Sequence, residues 1–115
     1  MKNFEELEVW QDSCRLAVDI YKTFELCHKR GLKDQVTRAA VSIASNIAEG
    51  AERRTLKEFT AFLYIAKGSA AELRTQLYIS AKINVIPAEQ CKELTNRCKT
   101  ISKRLQSLIS AINKP

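Results

Sequence analysis

Apolar residues recur at alternating steps of three and four through most of this 115-residue chain. The pattern is most regular near the C-terminus, where one helix face carries Cys91, Leu94, Cys98, Ile101, Leu105, Leu108 and Ile112. Only three glycines and two prolines occur in the chain, which is too little turn chemistry for an all-β fold. The spacing therefore predicts an all-α protein.

Three more helices are predicted, over residues 5–26, 33–49 and 55–83. Thr55 and Glu58 form a capping-box signature at the start of the third helix, and Gly31, Gly50 and Asn84 are expected to end helices. The predicted apolar faces are Leu7, Trp10, Cys14, Ala17, Tyr21 and Phe24 in the first helix; Leu32, Val36, Ala39, Ala40, Ile43 and Ile47 in the second; and Phe59, Leu63, Ala66, Ala70, Leu73 and Leu77 in the third. Short connections favour an antiparallel up-down four-helix bundle with long helices, a single domain over residues 1–115.

No apolar run approaches the roughly 20 residues that a membrane span requires. The N-terminus is acidic where a secretory signal would be basic and then apolar. We therefore expect a cytoplasmic protein without a membrane association.

The cysteine spacing favours neither a disulfide framework nor a metal site. Cys91 and Cys98 lie seven residues apart, about 10.5 Å along a helix, which is too far for a disulfide. The chain has no Cys-x-x-Cys pair, and His28 is the only histidine. Cys14, Cys91 and Cys98 fall on apolar helix faces and are expected to be small buried thiols.

Residues that would support catalysis are absent from the sequence pattern. There is no Gly-x-Ser-x-Gly elbow, no glycine-rich phosphate loop and no Glu-x-x-His motif for a di-metal bundle. We therefore predict a non-enzymatic protein without a cofactor.

The third helix has more apolar residues than one buried face needs. Phe62, Tyr64 and Ile65 lie away from its main apolar face, and a helix that is apolar nearly all round is usually buried nearly all round. These three residues are predicted to form an oligomer interface. The alternative is a broad apolar face within a single bundle.

Positive charge is concentrated in the second half of the chain. Residues 61–115 contain nine basic and three acidic side chains, so this segment alone carries the formal net charge of +6. On the fourth helix, Lys92, Lys99 and Lys103 project away from the apolar face, and Arg97 and Arg104 lie on its flank. These five residues are the predicted contacts to the phosphates of RNA or DNA; the alternative is a solvated basic face. No aromatic residue interleaves with them along the helix, so the pattern does not indicate base stacking.

Two sequence blocks carry a family resemblance: residues 42–50, which read Ser-Ile-Ala-Ser-Asn-Ile-Ala-Glu-Gly, and residues 62–69, which read Phe-Leu-Tyr-Ile-Ala-Lys-Gly-Ser. With Arg54 and the opening Leu7-Glu8-Val9-Trp10-Gln11, the chain resembles the four-helix-bundle proteins encoded in intervening sequences of bacterial 23S rRNA genes. That family in turn resembles the accessory variability determinant of diversity-generating retroelements, a pentameric basic bundle that binds a reverse transcriptase and nucleic acid.

The resemblance implies a homo-oligomer, a pentamer, that binds RNA or DNA. It also implies a second function class, a scaffold that docks a partner enzyme such as a reverse transcriptase, with nucleic-acid binding incidental. Gly68, in the middle of the third helix, is expected to allow close approach of another helix. Polar residues near the apolar faces are predicted to form a hydrogen-bonded structural cluster: Asn46, Glu49, Arg54, Ser69 and Glu72.

Overall fold

The computed structural model describes residues 3–115. They form a short 3₁₀ turn, Phe4–Glu6, followed by four α-helices: α1 (Glu8–Thr23), α2 (Arg30–Ala51), α3 (Leu56–Lys82) and α4 (Ala88–Ile112). Each helix packs against the next in the chain, and α1 also packs against α4, in a bundle of 47 × 19 × 19 Å. The described part of the chain contains no β-strand. Its helices lack the length and apolar character to cross a membrane.

Contacts between α3 and α4 establish that these two helices are antiparallel. Hydrogen-bonded pairs run in opposite directions along the two helices: Thr60–Asn113, Lys67–Gln106 and Leu77–Cys91. Short turns join the helices, as expected for an up-down arrangement. The predicted all-α four-helix bundle is confirmed.

Both ends of α3 follow the sequence signals. The Glu58 backbone N–H donates to Thr55 Oγ1 at 3.1 Å, and the Thr55 N–H donates to Glu58 Oε2 at 3.4 Å, which completes the capping box. At the other end, Asn84 adopts a φ of 63°, the left-handed conformation that asparagine tolerates. Pro87 is the N-cap of α4.

The glycines do not end helices as predicted. Gly31 and Gly50 both lie within α2, and no glycine among residues 3–115 has a positive φ. Gly50 is instead buried against α3, where an added Cβ would lie 2.6 Å from Phe62 Cβ. Gly68 is exposed, and no atom outside its own helix lies within 4 Å of the position of its Cβ, so within this bundle it permits no close approach.

The buried face of α1 differs from the prediction. The buried residues are Val9, Ser13, Leu16, Ala17, Ile20 and the C-cap Phe24. Tyr21, predicted in the core, is 52% exposed, and Trp10 and Cys14 are only partly buried. The Ser13 hydroxyl donates to Val9 O at 2.7 Å, so this serine can be buried without losing its hydrogen bond. A tyrosine hydroxyl there would need its own partner.

The predicted apolar faces of the other helices form the core with few changes. All six predicted residues of α3 are buried, and so are Val36, Ala39, Ala40, Ile43 and Ile47 of α2. In α4, Leu94, Cys98, Ile101 and Leu105 are buried with Ile109, whereas Cys91, Leu108 and Ile112 are partly buried. Leu32 of α2 is partly buried as well.

Candidate nucleic-acid interface

The five basic residues predicted to bind phosphate lie on two different sides of α4. Arg97 Nη1 lies 2.7 Å from Asp19 Oδ2 of α1 and 3.8 Å from Glu93 Oε1. Arg104 Nη1 pairs with Asp12 of α1. These two arginines therefore join α4 to α1, and their charge is balanced by carboxylates.

Lys92, Lys99 and Lys103 lie on the opposite, outer side of α4 and are exposed. Within residues 3–115, no carboxylate oxygen lies within 4.0 Å of any of the three ammonium groups. Steps of seven and four residues place them on one helix face, over about 16 Å along the helix axis. Their positive charge is therefore available to a ligand.

A groove of about 640 Å³ runs between this face of α4 and the neighbouring part of α3. Arg74 of α3 lies in it beside Lys92 and Lys99, and the uncharged remainder of the lining includes Thr75, Tyr78, Thr95 and Asn96. No aspartate or glutamate lines the groove. We call Arg74, Lys92, Lys99 and Lys103 the α3–α4 basic surface.

Arg74 was not predicted from the sequence as a site residue. The nearest basic residues in the sequence are Lys67 and Lys82, so counting charges along the chain does not single out Arg74. Its spacing of seven from Lys67 and four from Tyr78 places the three residues on one side of α3. Lys67 contacts Gln106 of α4 at 2.6 Å, and this spacing is the signal that Arg74 also faces α4.

Cys98 is a buried residue of α4 near Arg74 and Arg97. Burial raises the pKa of its thiol to about 12, against the opposing effect of the positive charges of Arg74 and Arg97. The thiol therefore stays protonated at neutral pH and is a core residue, not a nucleophile. All four cysteines are free thiols, and within residues 3–115 no group of three His, Cys, Asp or Glu side chains is placed to hold a metal ion.

Of the five residues predicted to form a polar cluster, Asn46 and Ser69 are connected in the structure, and Ser42 lies between them. Ser42 and Ser69 hydroxyls lie 2.9 Å apart, and Asn46 Nδ2 donates to Ser42 Oγ at 2.9 Å and to Ser42 O at 2.8 Å. This link joins the middle of α2 to the middle of α3. Glu49 instead contacts Arg53 at 3.5 Å.

The other two members of the predicted cluster are exposed and lie apart from this link. Arg54 and Glu72 make no hydrogen bond to another described side chain. Of the predicted cluster, Asn46 and Ser69 therefore belong to one hydrogen-bonded network, which they form with Ser42.

The three predicted oligomer-interface residues also occupy different environments. Phe62 is partly buried, with the Arg53 guanidinium carbon 4.7 Å from its ring centroid. Tyr64 and Ile65 are each 51% exposed on the side of α3 that faces away from the core. Ile79, 46% exposed, lies on the same side about 21 Å further along the helix, beyond the exposed Glu72 and Thr75.

Comparison with known proteins includes a family model and a solved structure that both extend over most of this chain. The family model described as 23S rRNA-intervening sequence protein matches residues 5–107. The chain is also similar to the crystal structure of a protein of unknown function from the S23 ribosomal protein family of Bacteroides thetaiotaomicron, with 28% sequence identity, coverage of 88% of this chain and 97% of that chain, and a TM-score of 0.81. No curated protein matches the chain.

Proposed function

This chain belongs to the 23S rRNA-intervening sequence protein family, and on that premise we propose that it binds the phosphate backbone of RNA or DNA without catalysing a reaction. The α3–α4 basic surface would make the contacts. The observation that carries the proposal is that these four cations have no carboxylate within 4.0 Å among residues 3–115. Arg97 and Arg104, which are paired with α1, are assigned a structural role.

Phosphate binding by this surface has a measurable signature. Each cation that replaces a counterion on the nucleic acid makes the affinity depend on salt concentration. Four phosphate contacts give a slope of log K against log salt of about −3.6 on duplex DNA, or roughly a hundredfold loss of affinity between about 50 and 200 mM salt. A solvated basic face without a ligand would give no such binding.

The test compares two variants that lose the same charge. Lys92, Lys99 and Lys103 are changed together to Gln in the first variant, and the exposed Lys22, Lys29 and Lys57 are changed together to Gln in the control. Fluorescence anisotropy with a labelled RNA and a labelled DNA is recorded across a salt series.

We expect the first variant to lose most of the salt-dependent binding, with its slope falling to about −0.9, whereas the control keeps a slope near that of the wild type. Equal losses in the two variants would mean that net charge alone drives binding. Wild-type protein that binds neither nucleic acid at low salt would refute the function.

The exposed apolar surface of α3 supports a second part of the proposal, which is self-association. Tyr64 and Ile65 are neighbours on one side of α3 with about half of their surface exposed, and adjacent exposed apolar residues can mark an interaction surface. Several copies would multiply the α3–α4 basic surface and so raise its avidity for a polyanion. The pentamer implied by resemblance would have five times the 13.0 kDa mass of the monomer.

Light scattering measures the mass directly. We expect a mass above 13.0 kDa for the wild type and a decrease when Tyr64 and Ile65 are both changed to Ser. A monomeric wild type at micromolar concentration would refute self-association. The scaffold function, in which a protein partner docks on the same apolar surface, predicts retention of that partner at high salt, where phosphate contacts are lost.

A further inference from the structure

We infer that the groove between α3 and α4 accepts single-stranded nucleic acid, with its phosphates on Arg74, Lys92 and Lys99 and a base stacked on Tyr78. The protein would therefore prefer a single strand to a duplex. This inference rests on the proposed function and adds to it the class of nucleic acid.

Arg74 provides the strongest indication of an anion in the groove. Its Nε is buried and has no hydrogen-bond partner within the described part of the chain, and none of its nitrogens is paired with a carboxylate there. A buried donor without an acceptor is costly, and a planar guanidinium matches the oxygens of a phosphate in a bidentate arrangement. A phosphate group in the groove would give the guanidinium an acceptor through those of its nitrogens that reach the groove.

The remaining lining of the groove suits a phosphodiester. Lys92 and Lys99 add two ammonium groups, the Asn96 amide adds a neutral donor, and no carboxylate lines the groove. A strand that follows the groove would meet Lys92 and then Lys99 about 10.5 Å further along α4. The positive charges are thus spaced along the groove to contact successive phosphates of a nucleic-acid strand, and they do not surround a single small anion.

Tyr78 supplies what the α4 sequence lacks, an aromatic side chain among the cations. It comes from α3, lines the same groove as Arg74 and Lys92, and is 60% exposed. The Nζ of Lys82 lies over one face of the ring, 5.4 Å from its centroid, so a base would stack on the opposite face or displace this ammonium. Because every base has a flat face, stacking on such a ring tolerates any sequence.

The stacking contact distinguishes a single strand from a duplex. In a duplex the bases are paired and stacked on one another, so no base face is presented to a ring on the protein surface. A duplex would contact the cations alone. Stacking of one base on an aromatic side chain changes affinity by roughly 5- to 100-fold, and an exposed ring belongs at the lower end of that range.

The experiment uses the full chain and three probes of similar length: a labelled oligo(dT) of about 12 nucleotides, the corresponding duplex, and inorganic polyphosphate as a competitor without bases. The variants are Tyr78→Leu, which removes the aromatic ring, and Tyr78→Phe, which keeps it. Far-ultraviolet circular dichroism with thermal melting checks that each variant is folded.

We expect the wild type to bind the single strand at least about fivefold more tightly than the duplex. Tyr78→Leu should weaken single-strand binding by about fivefold or more and leave duplex binding unchanged, and Tyr78→Phe should retain both. Polyphosphate should compete less well per phosphate than oligo(dT). Normal single-strand binding by Tyr78→Leu, with loss of binding when Lys92, Lys99 and Lys103 are changed together to Gln, would overturn this inference and leave the proposed function standing. Failure of the wild type to bind any of the probes would overturn both.

Discussion

Gly50 lies at a close approach between α2 and α3, and its replacement by alanine tests that packing. An added Cβ would lie 2.6 Å from Phe62 Cβ, 3.0 Å from Phe59 Cδ1 and 3.2 Å from Phe59 O. Carbon atoms in favourable contact lie about 3.5–4.0 Å apart, so the first separation is too short by about 1 Å. Because Phe62 Cβ is bonded to the backbone, a change of rotamer cannot relieve the clash, and α3 would have to move away from α2.

The expected change in the stability of Gly50→Ala follows from two opposing effects. Overpacking of a well-filled site costs about 1–3 kcal/mol, and contacts with backbone-bound atoms place Gly50→Ala at the upper end. Alanine in a helix recovers about 1 kcal/mol relative to glycine, so the variant should lose about 2 kcal/mol of stability. Gly68→Ala is the matched control: Gly68 is also helical, but nothing lies within 4 Å of its Cβ position, so that variant should gain up to about 1 kcal/mol.

The assay is urea denaturation followed by far-ultraviolet circular dichroism, with all proteins at one concentration because self-association would raise the apparent stability. The two variants should differ by about 3 kcal/mol in the free energy of unfolding, and the Tm of Gly50→Ala should fall by roughly 8 °C. A Gly50→Ala variant as stable as the wild type would show that α3 can shift without cost, and the packing argument would be wrong.

Three further predictions concern stability. Thr55→Ala removes the side-chain acceptor for the Glu58 N–H and should lower the free energy of unfolding by about 1 kcal/mol; no change in denaturation would mean that the capping box is dispensable. Burial raises the pKa of the Cys98 thiol from 9.0 to about 12. The buried, protonated thiol therefore contributes fully to stability below the unfolded-state pKa, and this contribution is lost as the pH rises from there towards the folded-state pKa. The wild type should lose about 1 kcal/mol more than Cys98→Ala between roughly pH 8 and pH 10, and parallel pH profiles would contradict this. A double-mutant cycle with Arg97→Gln and Asp19→Asn should give a coupling below about 1 kcal/mol that decreases with salt, because the pair is partly exposed; a salt-independent coupling would argue against an ion pair.

The fold and the buried faces of α2, α3 and α4 could be predicted from the spacing of apolar residues, whereas α1 has two candidate apolar faces. Cys14 and Tyr21 are spaced as regularly as Leu16 and Ile20, so periodicity alone cannot choose between the faces of α1. The choice depends on packing against α2 and α4, and it buries the aliphatic face that includes Ser13. In a sequence, a polar residue on an apolar helix face argues against burial of that face. Here the Ser13 hydroxyl donates to Val9 O, so the serine can be buried with its hydrogen bond satisfied.

The glycines show a similar limit. A glycine near the end of an apolar segment predicts a left-handed cap. Gly50 is helical instead, and its position requires a residue without a side chain because Phe62 occupies the space where a Cβ would lie. The contact that reveals this role comes from α3 and is not visible in the sequence of α2. Asn84 did adopt the left-handed conformation, since its role depends on local backbone geometry alone.

The division of the basic residues could be recognised only once the order of the helices was known. Asp12 and Asp19 are seven residues apart in α1, and Arg97 and Arg104 are seven apart in α4. Two antiparallel helices in contact bring such pairs together in reverse order, and the structure pairs Asp19 with Arg97 and Asp12 with Arg104. The equal spacing is therefore a signal for the α1–α4 contact. Counting the charges of α4 alone instead predicts one continuous basic face. With both arginines neutralised on the α1 side, the positive charge available to a polyanion lies on the α3 side, where Arg74 extends it.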